Sequence, residues 1–238
     1  MKSVSGLAYR SSETPDLRTY EAVAHEYYDE WLHPTCADFR SASSIYLQRF
    51  FEELRPDGRV ADIGCGRSLI ANFRTLDLVL VDQSPRMLEQ NASSLEKRCV
   101  DVESQSFGIA EFDWVFAVLG DPYNSMGTWN NICRALKPMG ECVFIVPSSD
   151  WAKAFRRSAL EERANFARFL TSTGEAIFLR SLIVESEVQK RMIADANLTH
   201  IATDHVRVGD LPVVRSTKIS AFLSPDQNLL DIYRAKKG

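Results

Sequence analysis

Residues 59–82, RVADIGCGRSLIANFRTLDLVLVD, decide how the rest of the chain is read. Val60-Ala61-Asp62-Ile63 is a short run suited to a buried parallel strand. It breaks into Gly64-Cys65-Gly66, where two glycines permit a tight turn and close approach of a ligand to the backbone. Ser68 to Arg74 is expected to be a helix, and Leu78-Val79-Leu80-Val81 a second buried strand ending on Asp82. An acid at the end of the second strand of such a unit is placed to bind the two hydroxyls of a ribose.

The kind of nucleoside follows from two further positions. A dinucleotide fingerprint wants a third glycine three positions after Gly66, so that the helix packs close beneath a pyrophosphate. That position is Leu69. Asp62, just ahead of the turn, would repel a phosphate but suits an ammonium group. Both features count against a nicotinamide-dependent oxidoreductase. S-adenosylmethionine has a ribose, no phosphate, and an α-amino group at its other end. The stretch Asp62-Ile63-Gly64-Cys65-Gly66 resembles the first motif of the class I S-adenosylmethionine-dependent methyltransferases, with Ser68 where that family usually has a further glycine.

The resemblance implies a Rossmann-like α/β three-layer sandwich with a seven-stranded, mostly parallel sheet in the order 3-2-1-4-5-7-6. It covers about residues 59–147 well and the remainder in outline. It also implies S-adenosyl-L-methionine as cofactor, with S-adenosyl-L-homocysteine as product. Asp62, Gly64, Cys65, Gly66 and Asp82 would hold it, with Gln83 and Met87 beside the adenosine. Asp101 and Val102 fall where this family contacts the adenine, and Leu119 closes the cofactor list.

Downstream, Phe112 to Leu119 reads as a central strand running into Gly120-Asp121-Pro122-Tyr123-Asn124. Chemistry in an open α/β sheet sits outside the carboxyl ends of the strands, and this is such an end. Those residues partly resemble the Asp-Pro-Pro-Tyr motif of amino-group methyltransferases; a turn opening the next helix explains them equally. Ser125 to Leu136 follows as a helix and Glu141 to Val146 as strand five. Residues 148–184 are expected to form a substrate-side insertion, with a helix from Trp151 to about Arg163 and a hairpin across Ser172-Thr173-Gly174-Glu175. Arg156, Arg157, Arg163 and Arg168 could meet an anionic acceptor there or line a solvated helix face. Glu185 to Ala196 reads as a helix, and the last two strands are expected at His200 to Val208 and Ser216 to Phe222.

Upstream, residues 1–54 are expected to form a loose arm and a helical lid, leaving 55–238 as the methyltransferase core. Tyr20, Val23, Ala24, Tyr27, Tyr28 and Trp31 recur at helical spacing. A second helix should run from about Ala37 to Leu54. The resemblance places such helices over the cofactor, which makes Tyr20, Tyr27, Tyr28 and His33 pocket candidates; as an aromatic stripe they could equally be core. Asp121 and His33 are the candidates for a general base, with Tyr28 and Tyr123 shaping the pocket. His33 and Cys36, with His25 nearby, have no further ligands around them, so no metal is expected.

Size and charge bound the rest. The chain has 238 residues, 45% hydrophobic and 25% charged, enough for one substantial core. Its net charge of −4 counts against broad binding to nucleic acid or an anionic membrane. No apolar run is long enough to span a bilayer. Cysteines 36, 65, 99, 133 and 142 form no CxxC pair and read as reduced thiols of a cytoplasmic protein. The expected function is methyl transfer to an O, N or C nucleophile of a small molecule. Amino-group methylation of a nucleotide or base, or a non-catalytic cofactor-binding partner subunit, are the alternatives.

Overall fold

In a computed structural model, residues 18–73, 77–158 and 165–238 are described. The chain begins with a short helix α1 (Arg18–Val23), then turns, then a long helix α2 (Pro34–Leu54). Pro34 opens α2 at a position where its missing N–H costs nothing, and Arg55 ends it in a left-handed conformation ahead of Pro56. Then come β1 (Arg59–Ile63), β2 (Asp77–Asp82), α3 (Pro85–Glu89), β3 (Glu96–Cys99), β4 (Phe112–Val118), α4 (Met126–Ala135) and β5 (Leu136–Pro147). The chain continues through α5 (Ser149–Ser158), β6 (Phe166–Leu170), β7 (Ala176–Arg180), α6 (Ser186–Asp195), β8 (Leu198–Arg207), α7 (Thr217–Ser220) and β9 (Asn228–Lys237).

Seven strands form one sheet in the order β3-β2-β1-β4-β5-β9-β8, parallel except for β9, which runs antiparallel to both of its neighbours. This is the expected order. Alternate strand residues feed two cores. Val60, Leu78, Leu80, Phe116 and Ile145 pack under α2 and α5. Ala61, Val79, Val81, Val115 and Phe144 pack under α4 and α6. Three layers result because the strands of a parallel sheet are apolar on both faces. No helix among the described residues is long and apolar enough to cross a membrane.

Several boundaries differ from expectation. Between Ser68 and Arg74 only Ile70–Asn72 forms a single 3-10 turn, and Arg74 lies outside the described residues. The glycine turn uses up the start of a 13-residue link between β1 and β2. Ser68 then spends its hydroxyl on Asp62 and its N–H on Asn91. The predicted strand at Ser216 to Phe222 is instead the helical turn α7, with Ser216 accepting from Lys218 N. Ile219 and Leu223 are buried there at i and i+4, a helical spacing. The last strand is Asn228–Lys237, whose Leu229, Leu230, Ile232 and Tyr233 are fully buried. Trp31 is not on a buried stripe: α1 ends at Val23 and Trp31 is 95% exposed.

β6 and β7 form the expected hairpin, apart from the main sheet. It meets the N-terminal segment over the carboxyl ends of the strands: Val23, Phe169 and Leu179 share a small core with Tyr20 and Tyr27. Polar ties fix the contact, with Ser172 N donating to Glu26 and the Tyr20 hydroxyl to the Arg180 carbonyl. Residues 1–17 and 159–164 lie outside the described residues, and with them the expected arm, the expected helical stretch beyond Ser158 and Arg163; nothing is described of the Arg156 and Arg157 side chains.

Candidate active site

The carboxyl end of β1 carries a buried acid and a turn that only glycines adopt without strain. Gly64 and Gly66 have φ of +59° and +48°. Cys65 N donates to the Val81 carbonyl and Gly66 N to Asp82 Oδ2 at 2.9 Å, so the turn is tied to the end of β2. The other Asp82 oxygen accepts from Ser84 N at 2.9 Å. Ser84 in turn caps α3 through Met87 N. Asp62 accepts the Ser68 hydroxyl at 2.6 Å, while its Oδ1 is buried without a partner.

Burial pushes both carboxyls up, Asp62 to about 7 and Asp82 to about 6, because removal from water disfavours the charged form. For Asp62 the neighbouring Asp82 acts in the same direction. Two buried acids beside a glycine turn suit a cation and a pair of hydroxyls better than a phosphate, which their negative charge would repel.

Aromatic rings lie directly on the glycines. A Cβ added at Gly64 would run into the Tyr123 ring, and one at Gly66 into the Tyr28 hydroxyl. That hydroxyl accepts from Arg67 N at 2.6 Å. The Tyr28 ring is flanked by the guanidinium groups of Arg40 and Arg67, 4.5 and 4.6 Å from its centroid. An inner pocket of about 50 Å³ remains, lined by Gly64, Cys65, Gly66, Asp82, Met87 and Leu119 together with Tyr20, Tyr27, Tyr28 and Tyr123. Tyr28 lies between it and an outer groove of about 660 Å³, which runs between α2 and the segments 67–72 and 90–95.

A second cavity, of about 120 Å³, lies on the other side of Leu119 and Pro122, under the hairpin, α5 and α7. Asp121 lines it. Tyr20, Tyr27, Cys36, Leu119 and Pro122 line both this cavity and the inner pocket, so the two meet across that wall. Leu119 takes φ +57°, an unusual conformation for a branched residue, at the bend where β4 gives way to this loop.

The predicted site residues therefore divide. The cofactor candidates Gly64, Cys65, Gly66, Asp82, Met87 and Leu119 surround one pocket, and Asp62 is buried just behind them. Gln83 lies beside the Tyr123 hydroxyl. Asp101 and Val102 do not join them: Asp101 accepts from Glu103 N and the Ser104 hydroxyl within its own turn, and Val102 is buried with its carbonyl on Asn131. The two base candidates are not brought together. Asp121 lines the second cavity, whereas His33 lines the outer groove, stacked on Phe169 at 3.8 Å. Burial pushes the His33 imidazole down. Tyr123 turns away from Asp121 toward Gly64, so Asp121-Pro122-Tyr123 is split between two cavities.

Sequence reasoning missed the α2 residues Cys36 and Arg40, which stand one turn apart and face the pockets. Their signal was a polar i, i+4 pair on the helix. It also missed Trp151 and Phe155, again i and i+4, and Lys218, which the misplaced last strand concealed.

Residues 61–144 match the family described as a methyltransferase domain. No curated protein matches the chain by sequence. Among solved structures, the complex of DhpI with SAM and HEP is similar at 15% identity with a TM-score of 0.64, over 93% of this chain and 95% of that one. The Burkholderia thailandensis 1,6-didemethyltoxoflavin-N1-methyltransferase, with bound 1,6-didemethyltoxoflavin and S-adenosylhomocysteine, is similar at 15% identity and a TM-score of 0.55, over 93% and 86%. A complex between the Haloferax volcanii Trm112 methyltransferase activator and a methyltransferase gives 15% identity and a TM-score of 0.60, over 91% and 96%. At such identities these likenesses speak for the fold. The match to the methyltransferase-domain family begins inside β1 and spans the glycine turn and Asp82, so it falls on the residues that build the inner pocket.

Proposed function

We propose that this methyltransferase acts on a small molecule held in the 120 Å³ cavity beside Asp121. The observation that carries the reading is the shared wall: Leu119 and Pro122 line both that cavity and the glycine-turn pocket. An acceptor in one is thereby adjacent to a cofactor in the other, and a cavity of about 120 Å³ suits a small molecule. Residues 1–54 act as the lid and 148–184 as the acceptor side, supported by Tyr20, Tyr27, Trp151 and Phe169 in the cavity wall. The five unpaired thiols support a reducing, cytoplasmic setting.

The residues fit the cofactor chemically. The unpartnered Oδ1 of Asp62 suits an ammonium group and Asp82 suits the ribose hydroxyls, while the positive φ of Gly64 and Gly66 keeps the turn free of side chains beside them. When bound, the sulfonium supplies a methyl carbon to which the acceptor's lone pair bonds, while the electrons of the broken carbon–sulfur bond stay on sulfur. What the chain contributes is alignment and exclusion of water. Tyr20 and Tyr27 wall off both cavities. Asp121, on the acceptor side alone, is positioned to accept a proton from a hydroxyl or amine as it is methylated. The division of Asp121 and Tyr123 between cavities favours this reading over an amine clamp on a nucleotide base.

Thermal denaturation with S-adenosylhomocysteine, NAD or NADP tests the cofactor half, since a ligand of the native state raises Tm. A rise with S-adenosylhomocysteine alone is expected. A larger rise with either dinucleotide would overturn it. A screen of small-molecule acceptors with parent and Asp121→Ala protein tests the other half.

A further inference from the structure

We infer that the acceptor is a single-ring aromatic acid, its ring against the stacked aromatic walls and its carboxylate at Lys218; this rests on the reading of the cavity as the acceptor site. Size comes first. At about 120 Å³ the cavity is close to the roughly 150 Å³ that accommodates one benzene in an apolar protein interior. Two fused rings would not enter without displacing the walls.

Shape comes next. Six aromatic residues line the cavity: Tyr20, Tyr27, Phe39, Trp151, Phe155 and Phe169. Two pairs are stacked with almost parallel planes, Trp151 with Phe155 at 5.0 Å and 6°, and Tyr27 with Phe169 at 5.8 Å and 10°. Flat walls favour a flat guest, because offset stacking and edge contacts need a ring to meet a ring.

Charge completes the argument. Besides Asp121, the cavity is lined by Arg168, Arg180 and Lys218. The Arg180 guanidinium is held by Glu103, one bond of the pair measuring 2.9 Å. Lys218 makes no ion pair among the described residues; its ammonium lies 5.4 Å from the centroid of the Phe155 ring. The α7 backbone fixes its place, since the Lys218 carbonyl accepts from Trp151 Nε1 at 3.2 Å. The side chain is exposed and yet lines the cavity, which puts the cation at the rim. An anionic substituent on the guest would face it there, leaving the rest of the ring to the apolar walls.

The test is calorimetry on protein saturated with S-adenosylhomocysteine, using 4-hydroxybenzoate, 4-hydroxybenzamide and 4-hydroxycyclohexanecarboxylate. The aromatic acid should bind about fivefold tighter than its amide, the worth of a partly exposed ion pair, and tighter than the saturated acid. Lys218→Met keeps the aliphatic stem and should erase the difference between acid and amide. Equal binding of acid and amide, or a difference that survives in Lys218→Met, overturns the anionic part. Equal binding of the saturated acid overturns the aromatic part. Failure of all three probes while S-adenosylhomocysteine still binds overturns the inference and leaves the methyltransferase site standing. Failure of S-adenosylhomocysteine itself overturns the reading beneath it.

Discussion

Replacing Asp62 by Asn should flatten part of the pH dependence of stability in the ligand-free protein. One Asp62 oxygen takes the Ser68 hydroxyl, the other has no partner, and burial raises the carboxyl from 3.8 to about 7. The native state therefore keeps a proton that the unfolded chain has released. Stability from this group is lost as pH climbs from about 4 through about 7, the reverse of a salt-bridged acid. Integrating between those two values gives a loss of roughly 2.5 kcal/mol from pH 5 to 8. For a chain of this size that is about 5–10 °C in Tm.

The parent curve alone does not isolate the effect. Asp82, raised to about 6, acts with the same sign. His205, raised by its bond to Asp231, also loses its contribution as pH rises through its folded value. His33, pushed down by burial, acts oppositely at acid pH. The informative quantity is the gap between parent and Asp62→Asn, followed by scanning calorimetry at half-unit steps from pH 5 to 8. The gap should move in the variant's favour by several degrees across that range. Two parallel curves would refute the assignment of a neutral Asp62.

Asp82→Ala should weaken S-adenosylhomocysteine binding about tenfold or more, from a loss of roughly 1.5–3 kcal/mol in charge-assisted hydrogen bonds; calorimetry with circular dichroism would show whether the fold survives. Gly66→Ala places a side chain at φ +48° where the Tyr28 hydroxyl lies, so Tm should fall by a few degrees, in line with roughly 1–2 kcal/mol for the left-handed conformation. Asp121→Ala should leave cofactor affinity within a few-fold and lower turnover by about 10²-fold once an acceptor is found. Lost cofactor binding in a folded Asp121→Ala protein would move this residue to the other cavity.

The sheet was legible because parallel strands declare themselves as continuous apolar runs, and the run at 78–81 leaves little choice. Strand order came from the resemblance and matched. The strand expected at Ser216 to Phe222 is helical because the buried positions there are Ile219 and Leu223, four apart, and the longer apolar run begins at Leu229. In the site, residues set by the backbone of a single β–turn–β unit were readable: Gly64, Gly66 and Asp82 meet because they are neighbours along that unit. Cys36, Phe169 and Lys218 reach the cavities from α2, the hairpin and α7, and no local pattern records that meeting. His33 does share the outer groove with Tyr27 and Tyr28, but it lines neither the glycine-turn pocket nor the cavity of Asp121.

The position of Tyr28 bears on how fast the cofactor is captured. With its hydroxyl on Arg67 N and its ring between two guanidinium groups, it leaves about 50 Å³ beside the glycines, against roughly 300–1,000 Å³ for ordinary ligand sites. Capture of a nucleoside-sized cofactor is therefore expected to need the ring to swing toward the outer groove. Affinity is then the intrinsic affinity scaled by the fraction of molecules with the ring displaced. Observed association rates should level off with rising ligand concentration at the rate of that swing, and Tyr28→Ala should remove the plateau.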